Sequence, residues 1–183
     1  MFSQDSEPVV LKRDVSAVVV PAGMEIDLRK GALVYITQAM GGSFTIYHEG
    51  SLFRIAGTDA DALGKEPMEP PVLPEDASDD EFENLVWDQL RTVFDPEIPV
   101  NIVDLGLIYD FDVVKSSDGK RKISVHMTLT APGCGMGEIL VEDVREKMSI
   151  IPTVESAEVE LVFDPPWSRE MMTEAALLEL GMM

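Results

Sequence analysis

The single cysteine of this 183-residue chain, Cys134, stands between two glycines in the stretch Thr128-Leu129-Thr130-Ala131-Pro132-Gly133-Cys134-Gly135-Met136-Gly137-Glu138. An alternating run ends there, Pro132-Gly133 breaks it, and a helical pattern begins. The flanking glycines let backbone or ligand approach closely. A thiol at a helix N-terminus sits at the positive end of the helix dipole, beside N–H groups that lack intrahelical partners. Both effects favour thiolate, the form that attacks electrophiles and binds metals. The competing reading is a small buried hydrophobe, since free cysteine is among the most buried residue types.

Few other residues carry comparable chemistry. One cysteine excludes an intrachain disulfide and any Cys-x-x-Cys metal site. With His48 and His126 as the only histidines, a closed structural zinc site is not expected. Asp59 and Asp61 are spaced to ligate a hard cation, but the further oxygen ligands of a calcium loop are absent, and a capped turn is the better reading. His126 lies on the polar face of a strand and reads as a solvated or hydrogen-bonded surface residue. Asp104 is the carboxylate expected nearest the thiol, for a reason of topology given below. On residue type alone a turn residue or cap is the better reading.

The elements that must position these groups follow from periodicity. Ser78-Asp79-Asp80-Glu81 is a capping box, and Phe82, Leu85, Val86, Leu90, Val93 and Phe94 continue at helical spacing, so the spacing predicts a helix to about Phe94. Asp95-Pro96 ends it. An irregular loop to Asp104 leads into a strand from Leu107, and a hairpin through Ser116-Ser117-Asp118-Gly119 joins that strand to Lys122–Thr130. Antiparallel pairing returns the chain to the edge where the first strand begins, which makes the Asp95–Asp104 loop a neighbour of the Cys134 loop. A helix after Cys134 carries Met136, Ile139, Leu140, Val144 and Met148 inward, a third strand spans Glu155 to Phe163, and Ser168 caps a last helix to about Leu180. The paired Met171-Met172 and Met182-Met183 read as core filling.

Upstream, five β-rich segments between Ala17 and Ile55 are divided by turn residues, which predicts a small barrel or sandwich, after a frayed Met1 to Glu7. Prolines 67, 70, 71 and 74 lie among acidic residues between Glu66 and Ala77 and form a stiffened linker. The fold class is therefore α+β. A small all-β unit, residues 1–65, and a linker, 66–77, precede a two-layer unit, 78–183. That unit runs helix, strand, strand, helix, strand, helix, with a three-stranded sheet.

The net charge of −20 argues against nucleic acid or an anionic membrane as partner, because both require clustered Lys and Arg. The imbalance is concentrated after Lys65, where 26 acidic residues meet 8 basic ones. No signal peptide or apolar stretch of about 20 residues is evident, so a cytoplasmic protein with a reduced thiol is expected.

Three blocks carry a family resemblance: Asp95-Pro96-Glu97-Ile98-Pro99-Val100-Asn101-Ile102-Val103-Asp104-Leu105-Gly106-Leu107-Ile108-Tyr109, Met127 to Cys134, and Phe163-Asp164-Pro165-Pro166-Trp167. In order and spacing they resemble the PaaD/SufT-type metal–sulfur cluster assembly domain from about Asp79 to Gly181. Ile36 to Thr45 and Asp59 to Gly64 are similar to the N-terminal half of SufT-type chains. The resemblance implies an accessory factor that helps install iron–sulfur clusters in client proteins, with Cys134 central and Asp104 beside it. Asp95, Pro96, Glu97, Pro132, Gly133, Gly135 and Glu138 belong to the supporting loops. Gly135 stands where relatives often carry proline, and Val15 where many SufT-like chains carry a cysteine. SUF-type scaffolds and client apoproteins are the implied partners.

Ligand arithmetic bears on mechanism independently. Clusters are held by about four protein ligands, mostly thiolates, and one chain offers one. No stably bound cofactor is expected. A transient iron–sulfur cluster would be shared between two chains in a homodimer, completed by a partner or small thiol, or bound with Asp104 or His126. Two other readings stay open: an enzyme with Cys134 as nucleophile, which needs a positioned base, and an adaptor subunit in which the thiol is incidental.

Overall fold

Residues 6–40, 43–95, 98–131 and 137–182 are described by a computed structural model, in which the chain divides into two units, Met1–Pro70 and Pro71–Met183. The first is built on strands β1 (Glu7–Val10), β2 (Val15–Val20), β3 (Glu25–Leu28), β4 (Leu33–Met40), β5 (Ser43–His48) and β6 (Ser51–Ala56). They form one sheet in the order β1-β4-β5-β6-β2-β3, antiparallel throughout. Strand β1 is an element that the sequence reading did not contain. It lies at the sheet edge, the position where Pro8 is tolerated because an edge strand can spare an N–H. Val15, Ala17, Val34, Ile36, Ile46 and Ile55 are buried together in the core of this unit.

A 3₁₀ segment, Gly57–Leu63, follows, and Gly64 in the left-handed region closes it with its N–H on Ala60 and Asp61 carbonyls. The Arg13 guanidinium sits on both aspartates: Nη2 donates to Asp59 Oδ1 and Asp61 Oδ1, and Nε to Asp61 Oδ2, each at 2.7 Å. That fork holds the Asp61 carboxyl below its ordinary pKa. A side-chain cation thus occupies the place where a metal was conceivable.

In the second unit α1 (Asp79–Leu90) starts with the capping box: Ser78 Oγ accepts from Glu81 N–H at 3.2 Å, and Glu81 Oε2 accepts from Ser78 N–H at 2.7 Å. The helix ends four residues before the expected Phe94. Thr92 Oγ1 bonds back to the Gln89 carbonyl at 2.6 Å, and Val93 and Phe94 leave the helix to pair with the chain at Asn101–Ile102. Strands β7 (Ile108–Lys115) and β8 (Arg121–Met127) make the antiparallel hairpin, and β9 (Val154–Leu161) lies parallel to β8, which is central. Between β8 and β9 runs α2 (Gly137–Ser149).

Alternation along β8 puts Arg121, Ile123, Val125 and Met127 on a buried face. Phe82, Val86 and Leu90 of α1 and Leu140, Val144 and Met148 of α2 share that core. Trp87 of α1 meets Phe111 of β7 edge-on at 5.2 Å between ring centroids. Arg121 pins the start of β8 to the start of α1. Its guanidinium lies 4.3 Å over the Phe82 ring, Nη2 donates to Asp79 at 3.1 Å and Nη1 to Thr153 Oγ1 at 2.8 Å.

The last expected helix is two pieces. A 3₁₀ turn, Arg169–Met171, precedes α3 (Glu174–Glu179), and Thr173 caps α3, with Oγ1 accepting from Ala176 N–H, whereas Ser168 makes no side-chain cap. Met172 fills core as expected, and Met182 is half exposed. Among the described residues no helix is long and apolar enough to cross a membrane.

Candidate functional site

The loop after α1 is a closed turn anchored by apolar side chains. Asp95 N–H donates to the Val100 carbonyl at 3.2 Å, and Ile102 N–H to Val93 at 2.9 Å. Val100, Ile102, Leu105 and Leu107 are fully buried beneath it. Asp95 is itself buried, with Oδ1 accepting from Ile98 N–H at 2.9 Å, so it shapes the loop from inside. Asp104 is half-buried and reciprocally bonded to Asn101. Its Oδ2 accepts from Asn101 Nδ2 at 2.7 Å, and its N–H donates to Asn101 Oδ1 at 2.9 Å.

The segment after β9 fastens this loop from the other side. Thr173 N–H donates to the Asp104 carbonyl at 2.8 Å, and Trp167 Nε1 to the Leu105 carbonyl at 2.7 Å. The Tyr109 hydroxyl donates to the Pro165 carbonyl and lies 3.9 Å from Met171 Sδ. Gly106, at φ +76°, backs directly onto Met171. From the β8 side, Thr128 N–H donates to the Leu107 carbonyl at 2.8 Å. Described parts of all three sequence blocks therefore meet around Asp104–Tyr109.

Cys134 and its neighbours Pro132, Gly133 and Gly135, like Pro96 and Glu97, lie outside the described residues. Helix α2 begins at Gly137, and Glu138 is exposed in its first turn, where a carboxylate complements the helix dipole. Gly137 packs on Leu129: a Cβ there would lie 2.6 Å from Leu129 Cδ1. Among the described residues no group of three or more His, Asp or Glu is arranged to hold a metal ion.

One site feature escaped the sequence reading. Thr128, just past β8, has no exposed surface, and its Oγ1 has no hydrogen-bond partner among the described residues. A buried hydroxyl without a partner costs about 1–3 kcal/mol. The sequence offered no signal, because threonine on the polar face of an alternating strand normally reaches solvent.

His126, next to last in β8, lies on the sheet face opposite Met127, with Nδ1–H donating to Asp110 and Nε2 3.6 Å from Glu160. The Asp110 bond is the main cause of a pKa raised above the ordinary imidazole value, with partial burial working against it and the Glu160 and Asp112 charges adding to it. A raised folded-state pKa stabilises the fold fully below the unfolded-state value of about 6.5, and that contribution is lost as pH rises through the folded value. Thermal melts of the wild type are therefore expected to drop more steeply than those of Asp110→Asn as pH rises above about 6.5. Parallel pH profiles would refute the coupling.

The family match falls within this second unit. The family described as iron-sulfur cluster assembly protein matches residues 83–161, from within α1 to the end of β9. An Fe-S protein maturation auxiliary factor from Porphyromonas gingivalis is 51% identical over 92 residues, which are 50% of this chain and 84% of that protein. The Fe-S protein maturation auxiliary factor YitW of Bacillus subtilis is 42% identical over 92 residues, 50% of this chain and 86% of YitW. The Fe-S protein maturation auxiliary factor SufT of Staphylococcus aureus is 39% identical over 89 residues, 49% of this chain and 97% of that SufT. Each of these alignments takes in about half of this chain and 84–97% of the relative. With more than two thirds of each of these relatives aligned well above 30% identity, the chain belongs to the iron–sulfur cluster assembly protein family.

Proposed function

We propose that this protein is an accessory factor in iron–sulfur cluster assembly that assists delivery of clusters to client apoproteins and is not itself an enzyme. The observation that carries the reading is family membership through relatives named as Fe-S maturation auxiliary factors, aligned over 84–97% of their lengths. The cluster is cargo. With one cysteine in the chain, four-thiolate ligation within a monomer is impossible. Cys134 supplies one soft ligand to a cluster whose other ligands come from scaffold, client, small thiol or a second copy, and each such arrangement is open and labile. That suits handover better than storage. Asp104 flanks the thiolate in this reading, with Asp95, Pro96, Glu97, Pro132, Gly133, Gly135 and Glu138 forming its loops. SUF-type scaffolds and client apoproteins in the cytoplasm are the partners.

The arrangement of the loops supports this. Asn101 and the Thr173 and Trp167 bonds hold the Asp104 segment in one conformation, and a fixed loop presents partners with a constant surface at little ordering cost. Cells depleted of the protein test the proposal: [4Fe–4S] client activity should fall while client protein level stays constant.

A further inference from the structure

Ile123, Val125 and Met127 of β8 share a core with α1 and α2, so both helices lie on one face of the three-stranded sheet. The pairing register fixes what the other face carries. Asp110, His126 and Glu160 lie opposite one another across β7, β8 and β9, and the next row on that face is Asp112, Ser124 and Glu158. Val114, Lys122 and Ser156 make the row after it. Every one of these residues is exposed except Ser124 and His126, which are half-buried between their neighbours. The four carboxylates therefore stand on two rails, β7 and β9, which lie about 10 Å apart because each step between strands is about 4.8 Å. Along each rail the charges repeat at about 7 Å, the rise of two strand residues.

Among the described residues no lysine or arginine is paired with any of these four carboxylates. Asp110 and Glu160 meet only His126 between them. Other carboxylates of the chain are neutralised: Arg13 sits on Asp59 and Asp61, Lys65 on Glu7, and Lys115 and Arg121 on Asp79. Like charges gathered on one sheet face repel, and a face that served the fold alone would be more stable with threonine or with alternating signs. Among the described residues no group of three His, Asp or Glu is arranged to hold a metal ion, so the face does not gather its charge around one cation. A second copy carries the same −20 and is repelled. We propose that this open face docks a basic protein segment, extended and with Lys or Arg at alternate positions, whose cations lie along the two rails. Alternate residues of an extended chain are about 7 Å apart, which matches the repeat of the carboxylates. Docking through complementary charge also speeds encounter with the partner. That the segment belongs to the cluster-assembly machinery rests on the function proposed above, and the docking itself does not.

The test titrates the nitrogen-15-labelled full chain with a synthetic decapeptide of alternating Lys and Ser, followed by amide chemical shifts. The face variant is Asp112→Asn with Glu158→Gln, which leaves the partners of His126 in place. The control variant is Glu66→Gln with Glu69→Gln, two exposed carboxylates before the second unit whose loss changes the net charge equally. In wild type the largest shifts are expected at Asp112, Ser124, His126 and Glu158, and they should fade at 1 M salt, where the screening length falls to about 3 Å. The face variant should bind about fivefold more weakly, as for two exposed charge pairs, and melt at or above the wild-type temperature. The control variant should bind like wild type. Largest shifts elsewhere, equal weakening in both variants, or a lowered melting temperature for the face variant would each overturn the proposal. Client activation from a cluster-loaded scaffold is then measured with the same proteins, and the face variant alone should be slowed. A wild type that binds the peptide on this face but activates no client would remove the functional reading and leave the docking face standing.

Discussion

Cys134→Ser is expected to reduce client activation to the level seen without the protein while leaving thermal unfolding unchanged. Serine keeps the size and part of the polarity of cysteine but removes the soft sulfur ligand that iron–sulfur chemistry requires. No second cysteine exists in the 183 residues to substitute for it. If Cys134 were a core residue instead, the serine hydroxyl would be buried without a partner, and the fold would lose about 1–3 kcal/mol. Melting temperature and client activation of this one variant therefore move in opposite ways under the two readings. A destabilised but fully active variant would place the functional centre elsewhere.

Gly106→Ala has the largest expected effect on stability. Gly106 has φ +76°, a region that costs an L-residue about 1–2 kcal/mol. An added Cβ would also lie 2.3 Å from the Met171 carbonyl oxygen and 2.8 Å from Met171 Cβ. Backbone cannot yield as a side-chain tip can, and such overpacking adds about 1–3 kcal/mol. Together these predict a loss of about 2–5 kcal/mol and a melting temperature lowered by roughly 10 °C. The expected route is separation of the Asp104 loop from the segment that carries Trp167 and Thr173. Tryptophan fluorescence should therefore report it, because Trp167 Nε1 is bonded to Leu105 beside the mutated residue. An unchanged melting temperature would mean that the two segments are not locked together.

The sequence made some of this legible and hid the rest for physical reasons. The Ser78 box and the alternation of β8 are local patterns, and both appear where the residues put them. The end of α1 is not local. Val93 and Phe94 fit the helical period, but their pairing with Asn101 and Ile102 across the loop takes them out of the helix. Ser168 and Thr173 are equally good caps by type, and the choice falls to Thr173, whose N–H is bonded to the Asp104 carbonyl. Strand β1 was hidden by Pro8 and by the polar residues beside it, because an edge strand is defined by its neighbour β4 and not by its own periodicity.

The site divides the same way. Asp104 was expected beside Cys134 from hairpin topology, and Cys134 lies outside the described residues; what is seen is the Thr128 N–H bonded to the Leu107 carbonyl, three residues after Asp104. The buried hydroxyl of Thr128 and the crowding behind Gly106 depend on residues more than 20 positions away or on complete enclosure, neither of which a pattern of residue types records. The Arg13 fork on Asp59 and Asp61 is a contact across more than 40 residues and was equally invisible.

The central claim, that the protein assists maturation of iron–sulfur clients, is tested most directly in cells depleted of it. The activity of a [4Fe–4S] client enzyme is measured against the amount of that enzyme's polypeptide, with and without restored wild-type protein. The account predicts that activity per polypeptide falls on depletion, that the apo-client regains activity when a cluster is rebuilt chemically, and that wild type restores it while Cys134→Ser does not. Unchanged client activity per polypeptide in depleted cells would contradict it.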